Sequence, residues 1–254
     1  MSTRCDIAGF IVRRTFKDAV LRFLNSRLRR RRQTIVFFAN ANFITRCQHL
    51  RHAMSASPDV FLLNDGLAID IASFLRFGAA FPDNLNGTDF TVLFLTQLKQ
   101  DTRVYLLGGH PPVVEAAAKV FGSMTDVRIA GFTDGYSIWE DQLAVVERIR
   151  DAEPDILLVA FGNPLQEEWV LRHCGALDVP MIMAVGALFN FVSGYTPRAP
   201  KFLRAVRLEW AHRLAHEPRR LAGRYTFGIA QFFMTVLRHS GKRSDAVAVS
   251  SPDD

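Results

Sequence analysis

The sequence predicts an α/β fold: a Rossmann-like, mostly parallel sheet with helices on both faces, plus a basic helical C-terminal appendage. Three observations lead to this prediction. The length of 254 residues suits one α/β domain with a small addition. Several short runs are apolar throughout, which is typical of strands covered on both faces. Helical patterns separate these runs, as in doubly wound sheets.

The predicted strands are rich in Val, Ile, Leu or Phe, and each ends in Gly, Asn or Asp. They occupy residues 34–40, 60–65, 103–109, 155–162 and 180–186. Two helical patterns, at 111–124 and 139–154, lie between them. Because open α/β sheets bind ligands at the carboxyl ends of their strands, we expect the functional site at the residues that close these runs.

The strand pattern stops near residue 197, and the chain then becomes basic and helical. We therefore predict a core over 1–197, a helical appendage over 198–240 and a disordered tail over 241–254. The arginine-rich run at 27–32 is interpreted as the solvated end of a helix that precedes the first core strand.

Composition narrows the class of protein. A hydrophobic content of 49% supports a substantial core and argues against global disorder. The net charge of +6 favours an anionic partner, such as a nucleotide, lipid head groups or nucleic acid. Three scattered cysteines without a CxxC pattern predict neither a disulfide framework nor a zinc site. Neither a signal-peptide h-region nor a run of eighteen apolar residues is present, so a cytoplasmic location is expected.

Asp65 is the first candidate for chemistry, since it directly follows an apolar run and precedes Gly66. A glycine lets a ligand approach the backbone closely, and the carboxylate could then serve as a general base. An N-cap for the helix that begins at "GLAID" explains the same residue equally well. The segment itself leaves both interpretations open.

Two glycine turns follow other predicted strands. Gly108 and Gly109 precede a helical pattern, where exposed amides could contact phosphate or form only a tight turn. Neither GxGxxG nor GxxxxGK[ST] is present there. In "FGNPLQEEW", Gly162 and Pro164 shape a turn before a helix.

The residues that follow this second turn are Gln166 and Glu167. The Gln166 amide could bind a sugar hydroxyl or a base edge. The helix dipole alone would explain Glu167.

Ordered motifs run along most of the chain, from about residue 34 to 224. They are "NAN" (40–42), "NDGLAID" (64–70), "NGTDF" (86–90), "RVYLLGG" (103–109), "GFTDGYS" (131–137), "FGNPLQEEW" (161–169), "VGALFNFVSG" (185–194), "RAPKF" (198–202) and "RLEWAHRLAHEPRR" (207–220). Taken together, these motifs resemble the bacterial WecG/TagA/CpsF glycosyltransferase family.

This resemblance implies an inverting hexosyltransferase that needs neither metal nor cofactor. Such enzymes move a sugar from a UDP-sugar to a polyprenyl-diphosphate-linked saccharide at the inner face of the cytoplasmic membrane. We expect a role in exopolysaccharide or other envelope polysaccharide synthesis. The alternative is transfer of N-acetylmannosamine or its uronic acid, as in teichoic acid or common-antigen synthesis.

The resemblance also implies roles for individual residues. Asp65 matches the aspartate proposed as the family's base, and Gln166 matches the glutamine of its "PxQE" motif. Arginines in place of a metal would compensate the diphosphate charge. The full set expected to bind substrate is Asn40, Gly66, Gly87, Asp89, Gly108, Gly109, Gly135, Tyr136, Gly162, Pro164, Gln166, Glu167, Arg198, Arg207, Arg213, Arg220 and Arg224.

The C-terminal sequence combines these arginines with an apolar run at 225–237, which is too short to span a bilayer. We predict that it seats shallowly in the membrane interface or packs on a helical partner, which includes a second copy of the chain. A basic helix packed on its own core is the alternative.

Four positions depart from the family pattern. Asn84 stands where relatives carry arginine, Phe38 where they carry threonine, and Asn190 where they carry aspartate. Gly223 replaces an arginine, with Arg224 one place later. Because all four lie in the expected cleft, donor or phosphate binding is where this chain would differ from its relatives.

Two other classes of function compete with this one. A nucleotide-dependent oxidoreductase would share the sheet but lacks GxGxxG. A nucleic-acid-binding protein would use the positive charge, but no RNP motif or helix-turn-helix pattern is present, so no nucleic-acid partner is expected.

Overall fold

The computed structural model describes residues 3–200, 203, 209–216, 219, 223 and 226–240. Within these residues, eight strands form one sheet in the order β1-β2-β4-β3-β8-β7-β5-β6, and only β1 runs antiparallel to its neighbour. The strands are β1 (Thr3–Ile7), β2 (Phe10–Arg14), β3 (Thr34–Ala39), β4 (Val60–Asn64), β5 (Arg103–Gly108), β6 (Arg128–Thr133), β7 (Ile156–Ala160) and β8 (Met181–Ala184). The predicted α/β fold with a mostly parallel sheet is confirmed.

Helices cover both faces of this sheet. They are α1 (Lys17–Arg29), α2 (Ala41–Arg46), α3 (Arg51–Ala56), α4 (Leu67–Phe77), α5 (Gly87–Leu95), α6 (Pro111–Met124), α7 (Gln142–Asp151), α8 (Leu165–Leu177), α9 (Leu188–Val192), α10 (Glu209–His216) and α11 (Phe227–Ser240). Single 3₁₀ turns lie at Gln48–Leu50 and Ser137–Trp139.

The central strand β3 shows why continuous apolar runs mark buried strands. Its six residues are all buried. Ile35 and Phe37 belong to the hydrophobic cluster on one face of the sheet, and Val36 and Phe38 to the cluster on the other. Both faces therefore need apolar side chains, and all five predicted strands are present within two residues of their expected bounds.

The N-terminal hairpin is a strand pair that the sequence analysis missed. Alternate residues of β1 and β2 are buried, and a two-residue turn at Ala8 and Gly9 (φ +54° and +85°) joins the strands. Asp6 Oδ1 accepts a hydrogen bond from the Gly9 amide at 2.6 Å. A hairpin at the sheet edge with one covered face alternates in polarity. It therefore lacks the continuous apolar run from which the other strands are predicted.

The edge strand β6 was missed for a related reason. It pairs only with β5 and is largely half-exposed, so its composition is mixed. Gly131 lies on this strand against the Tyr105 ring, where a Cβ would come within 2.6 Å of the ring carbon Cε2. Only a glycine lets the strand pack this closely against β5.

The basic run at 27–32 lies where predicted, at the end of α1. The helix ends at Arg29, and Arg30 to Arg32 are exposed. Arg27 differs, because it is largely buried and its Nη2 lies 2.6 Å from Asp59 Oδ1. The run follows β1 and β2, so it precedes the third strand instead of the first.

The C-terminal apolar run is divided between two environments. Helix α11 packs against α2 and α4, and it buries Phe232 and Val236 in the core. Its opposite face exposes Phe227, Met234 and Leu237. The alternative of packing on the chain's own core therefore holds for one face of this helix. Among the described residues, no helix has both the length and the apolarity needed to cross a bilayer.

Candidate active site

The carboxyl ends of β3, β4, β5, β7 and β8 open into one cavity of about 740 Å³. The residues that follow these strands contribute Asn40, Asp65, Gly109, Gly162 and Gly186 to its lining. The volume lies within the range usual for small-molecule sites. The strand ends thus meet at one site, as expected for an open parallel sheet.

The structure brings about half of the predicted site residues into this lining. Those that line the cavity are Asn40, Asp65, Gly66, Gly87, Asp89, Gly109, Tyr136, Gly162 and Gln166. Gly108, Gly135, Pro164, Glu167 and Arg198 lie beside or behind the lining. Arg207, Arg220 and Arg224 lie outside the described residues, as does the side chain of Arg213.

Asp65 is half-buried at the end of β4, and it is not the N-cap of α4. Gly66 occupies that position with φ +91°, a conformation that disfavours a side chain. Asp65 Oδ2 accepts a hydrogen bond from Asn40 Nδ2 at 3.1 Å. Asn40 is itself fixed, because its Oδ1 caps α2 by accepting from the Phe43 amide at 3.0 Å. The carboxylate is therefore oriented toward the cavity by a rigid neighbour.

Two further asparagines hold the loop after Asp65. Asn84 Oδ1 accepts from the Gly66 amide at 3.0 Å, so this departure from the family pattern fixes the turn beside Asp65. Asn86 caps α5 by accepting from the Thr88 and Asp89 amides. The first residue of α5, Gly87, packs on the Phe38 ring, where a Cβ would lie 2.9 Å from Cδ2.

Two of the predicted glycines act through backbone packing. A Cβ on Gly108 would lie 2.5 Å from the Ala160 carbonyl oxygen, and Gly108 has φ +126°. A Cβ on Gly135 would lie 3.1 Å from the Gly109 nitrogen. They let β5, β7 and the turn after β6 approach closely beneath the cavity.

Gln166 and Glu167 form the second polar wall, which is buried. Gln166 Oε1 accepts from the Gly162 and Gly186 amides, both at 3.2 Å, so it joins the turns after β7 and β8. Its Nε2 donates to Glu167 Oε1 at 2.7 Å. The exposed fraction is 3% for Gln166 and 1% for Glu167. Most of the hydrogen-bonding capacity of Gln166 is thus used within the protein.

Glu167 also holds the amide of Asn163. Asn163 Nδ2 donates to Glu167 Oε1 at 2.7 Å, and Asn163 Oδ1 accepts from Asn42 Nδ2 at 3.0 Å. On the other side of the carboxyl group, Cys47 Sγ lies 3.7 Å from Oε2. The carboxyl group therefore anchors a chain of amides that ends at Asn42 on the cavity surface.

Burial shifts the pKa values of the Glu167 carboxyl group and the Cys47 thiol. Burial raises the pKa of the Glu167 carboxyl, and the hydrogen bonds from Gln166 and Asn163 oppose that rise only in part. Burial and the nearby Glu167 raise the pKa of the Cys47 thiol. Cys47 is thus an inert core thiol.

The outer rim carries aromatic and charged pairs. The Tyr136 and His110 rings stack with centroids 4.6 Å apart, and the Tyr136 hydroxyl lies 2.9 Å from His110 Nε2. Arg198 Nη2 lies 2.7 Å from Asp89 Oδ1, so Arg198 reaches the site through a residue that lines it.

The turn that carries Tyr136 is held by Asp134. Burial alone would raise the pKa of Asp134, but hydrogen bonds from Ser137 and Tyr136 outweigh it and lower that pKa. The carboxylate is therefore charged and fixes the loop under the aromatic pair.

Sequence reasoning did not single out several residues of the lining. Asn42 could have been chosen, because it lies in a motif that carried the resemblance. Glu209, Trp210, Gly228, Ile229 and Phe233 come from the C-terminal helices. No local pattern indicates that residues so far along the chain reach Asp65.

A cavity at the carboxyl edge of a parallel sheet, with a carboxylate and several amides in its wall, is a site for a polar small molecule. The model of the Glycosyl transferase WecG/TagA/CpsF family matches residues 5–246. The chain therefore belongs to this family of glycosyltransferases, and the prediction of a hexosyltransferase is confirmed. The oxidoreductase alternative is set aside.

Two relatives show the similarity to individual proteins. An N-acetylglucosaminyldiphosphoundecaprenol N-acetyl-beta-D-mannosaminyltransferase of Bacillus spizizenii is 30% identical over 194 residues, which cover 76% of this chain and 74% of that protein. The protein of the same name from Bacillus subtilis is 29% identical over 184 residues, with 72% and 70% covered.

Proposed function

We propose that this chain transfers a sugar, with inversion, from a UDP-sugar to a polyprenyl-diphosphate-linked saccharide, and that Asp65 is the general base. The observation that carries this proposal is the position of Asp65. Its carboxylate lines the cavity, follows β4 directly and is oriented by Asn40. A base must lie within hydrogen-bond reach of the hydroxyl that it deprotonates, and an acceptor in this cavity could come that close.

The reaction is a single displacement. Asp65 takes the proton of the acceptor hydroxyl while the oxygen of that hydroxyl bonds to the anomeric carbon. The bond from that carbon to the UDP oxygen breaks, and UDP leaves with the bonding electron pair on the opposite face of the sugar. One displacement inverts the anomeric configuration. Only one carboxylate in proton transfer is needed, which is consistent with Glu167 being buried.

The leaving diphosphate requires positive charge. Within the described residues, no Lys or Arg side chain lines the cavity. Helices α2, α4 and α5 begin at its wall, after Asn40, Gly66 and Asn86, and helix N-termini attract phosphate. We propose that arginines of the appendage, Arg207, Arg213, Arg220 and Arg224, supply the remaining charge when substrate is bound.

The relatives' names bear on the sugar. Both relatives are named for N-acetylmannosaminyl transfer to an N-acetylglucosaminyl diphosphate polyprenol. These names favour the N-acetylmannosaminyl alternative over exopolysaccharide synthesis. We propose N-acetylmannosamine or its uronic acid as the transferred sugar, with no metal or cofactor required.

The acceptor also implies where the enzyme works. A polyprenyl chain is held in a bilayer, so we propose peripheral association with the inner face of the cytoplasmic membrane through residues 198–240. The exposed apolar side chains of α11 support this proposal. We propose self-association through the exposed face of α11 as the alternative to membrane contact.

The test offers UDP-N-acetylmannosamine, its uronic acid form, UDP-N-acetylglucosamine and UDP-glucose with a short-chain polyprenyl diphosphate N-acetylglucosamine. Mass spectrometry and NMR identify the product and its anomeric configuration. An inverted N-acetylmannosaminyl or N-acetylmannosaminuronyl product formed in the presence of EDTA supports the proposal. A retained configuration, or turnover only with added metal, contradicts it.

A further inference from the structure

Helix α4 carries an apolar stripe on the side that faces solvent. Leu67, Ile71, Phe74 and Leu75 recur at the helical spacing of one face, and all four are exposed. The exposed fractions reach 60% for Phe74 and 69% for Leu75. A surface helix normally turns its apolar face to the core and polar residues to water, so this stripe requires an explanation.

A second exposed stripe lies on α11, which packs against α4. It consists of Phe227, Met234 and Leu237, spaced by seven and three residues. The face opposite to this stripe holds the buried Phe232 and Val236. Here, too, a helix is apolar on its core side and on its solvent side.

Both stripes begin at the candidate active site. Leu67 and Ile71 of the α4 stripe line the cavity themselves, and Gly228, which follows Phe227, lines it from α11. Phe74 and Leu75 continue the α4 stripe away from the cavity by one helical turn. The two stripes, called here the apolar rim, therefore adjoin the opening through which an acceptor enters.

Charge at the apolar rim favours an anionic lipid surface. Helix α11 contains no acidic residue, and Arg238 is exposed in its last turn. The one acidic residue of α4, Asp70, is buried. Anionic head groups would therefore meet arginine and no exposed carboxylate on these two helices.

From these observations we infer that α4 and α11 together form the surface that seats the protein in an anionic bilayer, with the cavity opening onto the lipid. This inference rests on the proposed lipid-linked acceptor, because a cavity that receives such an acceptor must face the bilayer. It adds α4, an element of the core, to a membrane contact that the sequence placed in residues 198–240 alone.

The experiment uses the full chain and vesicles of equal parts phosphatidylglycerol and phosphatidylcholine in a sedimentation assay. The variant is Leu75→Ser, and the matched control is Leu143→Ser on α7, because both leucines have an exposed fraction of 69%. Loss of one interfacial leucine should weaken vesicle binding about tenfold. The control should bind as the wild type does, and circular dichroism should show both variants folded.

Three results would overturn the inference. In the first, Leu75→Ser and Phe74→Ser both bind vesicles as tightly as the wild type. In the second, Leu143→Ser weakens binding equally. In the third, analytical ultracentrifugation without lipid shows a dimer that Leu75→Ser dissociates, which would assign the α4 stripe to a second copy of the chain.

Failure of the proposed function is distinguished by a transfer assay without vesicles. With a water-soluble, short-chain acceptor, Leu75→Ser should match the wild type, since this side chain does not line the cavity. If no variant transfers sugar but vesicle binding depends on Leu75, the reaction is misassigned and the lipid surface stands. If transfer proceeds and vesicle binding does not depend on Leu75, the lipid-binding surface is misassigned.

Discussion

Asp65 and Glu167 are two carboxyl groups at the same edge of the sheet, and their surroundings differ. Asp65 is half-buried, lines the cavity and accepts a hydrogen bond from the Asn40 amide at 3.1 Å. Glu167 is 1% exposed and accepts from two amides at 2.7 Å each. The Asp65 carboxylate can contact a substrate, whereas the Glu167 carboxyl group fixes the amides that surround it.

This difference shows why a motif does not by itself assign a role. Both residues lie in segments that resemble family motifs, and both were expected at the site. A carboxylate acts as a base where a substrate hydroxyl can reach it, and its burial behind amides makes it a positioning residue instead.

The largest effect is expected for Asp65→Asn. The variant keeps the size and can keep the contact to Asn40, but its amide cannot accept the hydroxyl proton. The transfer rate should fall by about 10²-fold or more. Pre-steady-state product formation measures the rate, and thermal unfolding shows that the fold is kept. Turnover near that of the wild type would remove Asp65 as the base.

Glu167→Ala should mainly lower the stability of the fold. It leaves the buried amides of Gln166 and Asn163 without their acceptor, which costs about 1–3 kcal/mol in the free energy of unfolding. Activity should fall because the turns held by Gln166 lose their support. Urea unfolding and the KM for the UDP-sugar measure the two effects.

Glu167→Gln is the matched control for this change. Its Oε1 can still accept from both amides, while Nε2 would face Cys47. The transfer rate should stay within several-fold of the wild type. A loss as large as that of Asp65→Asn would mean that the charge of Glu167 takes part in the reaction.

Asn40→Asp separates two roles of one side chain. Aspartate caps a helix as well as asparagine does, so α2 should keep its stability. The variant loses the donor to Asp65 and adds a negative charge beside it, which disfavours the ionised form of the base. The acid limb of the pH–rate profile should move to higher pH. An unchanged profile would contradict an orienting role for Asn40.

The smallest effect concerns pH and stability. Because the pKa of Glu167 is raised from its ordinary value of 4.5, the folded chain keeps this proton to higher pH than the unfolded chain does. The contribution of Glu167 to the free energy of unfolding is therefore most favourable below pH 4.5, and it falls as pH rises through the raised pKa.

Urea unfolding of the wild type and Glu167→Gln across this pH range measures the difference. The variant should gain relative stability as pH rises. The control is Glu115→Gln on the surface, where the hydrogen bond and charge of Lys119 lower the Glu115 pKa, so its relative stability should not rise with pH. The same trend in both variants would contradict the assignment to Glu167.

The sheet was largely predictable because burial on both faces leaves continuous apolar runs, as β3 and β7 show. The edge strands β1 and β6, and β2 beside β1, have one covered side or mixed surroundings, so the same criterion misses them. Their pairing is decided by neighbours distant in sequence, such as β4 for β2.

The site was predictable to the extent that strand ends define it. Asn40, Asp65, Gly109 and Gly162 each close a predicted strand, and all four line the cavity. The burial of Glu167 could not be predicted, because it depends on packing against Cys47, which is 120 residues away in the sequence. The approach of α11 to α4 is likewise a tertiary contact without a local pattern.

The central claim is that Asp65 performs proton transfer and Glu167 positions the wall around it. Single-turnover transfer by Asp65→Asn and Glu167→Gln, measured beside the wild type at one pH with the short-chain acceptor, tests it most directly. The predicted result is a loss of about 10²-fold or more for Asp65→Asn and a rate within several-fold of wild type for Glu167→Gln. The reverse order, or equal losses in both variants, would contradict the claim.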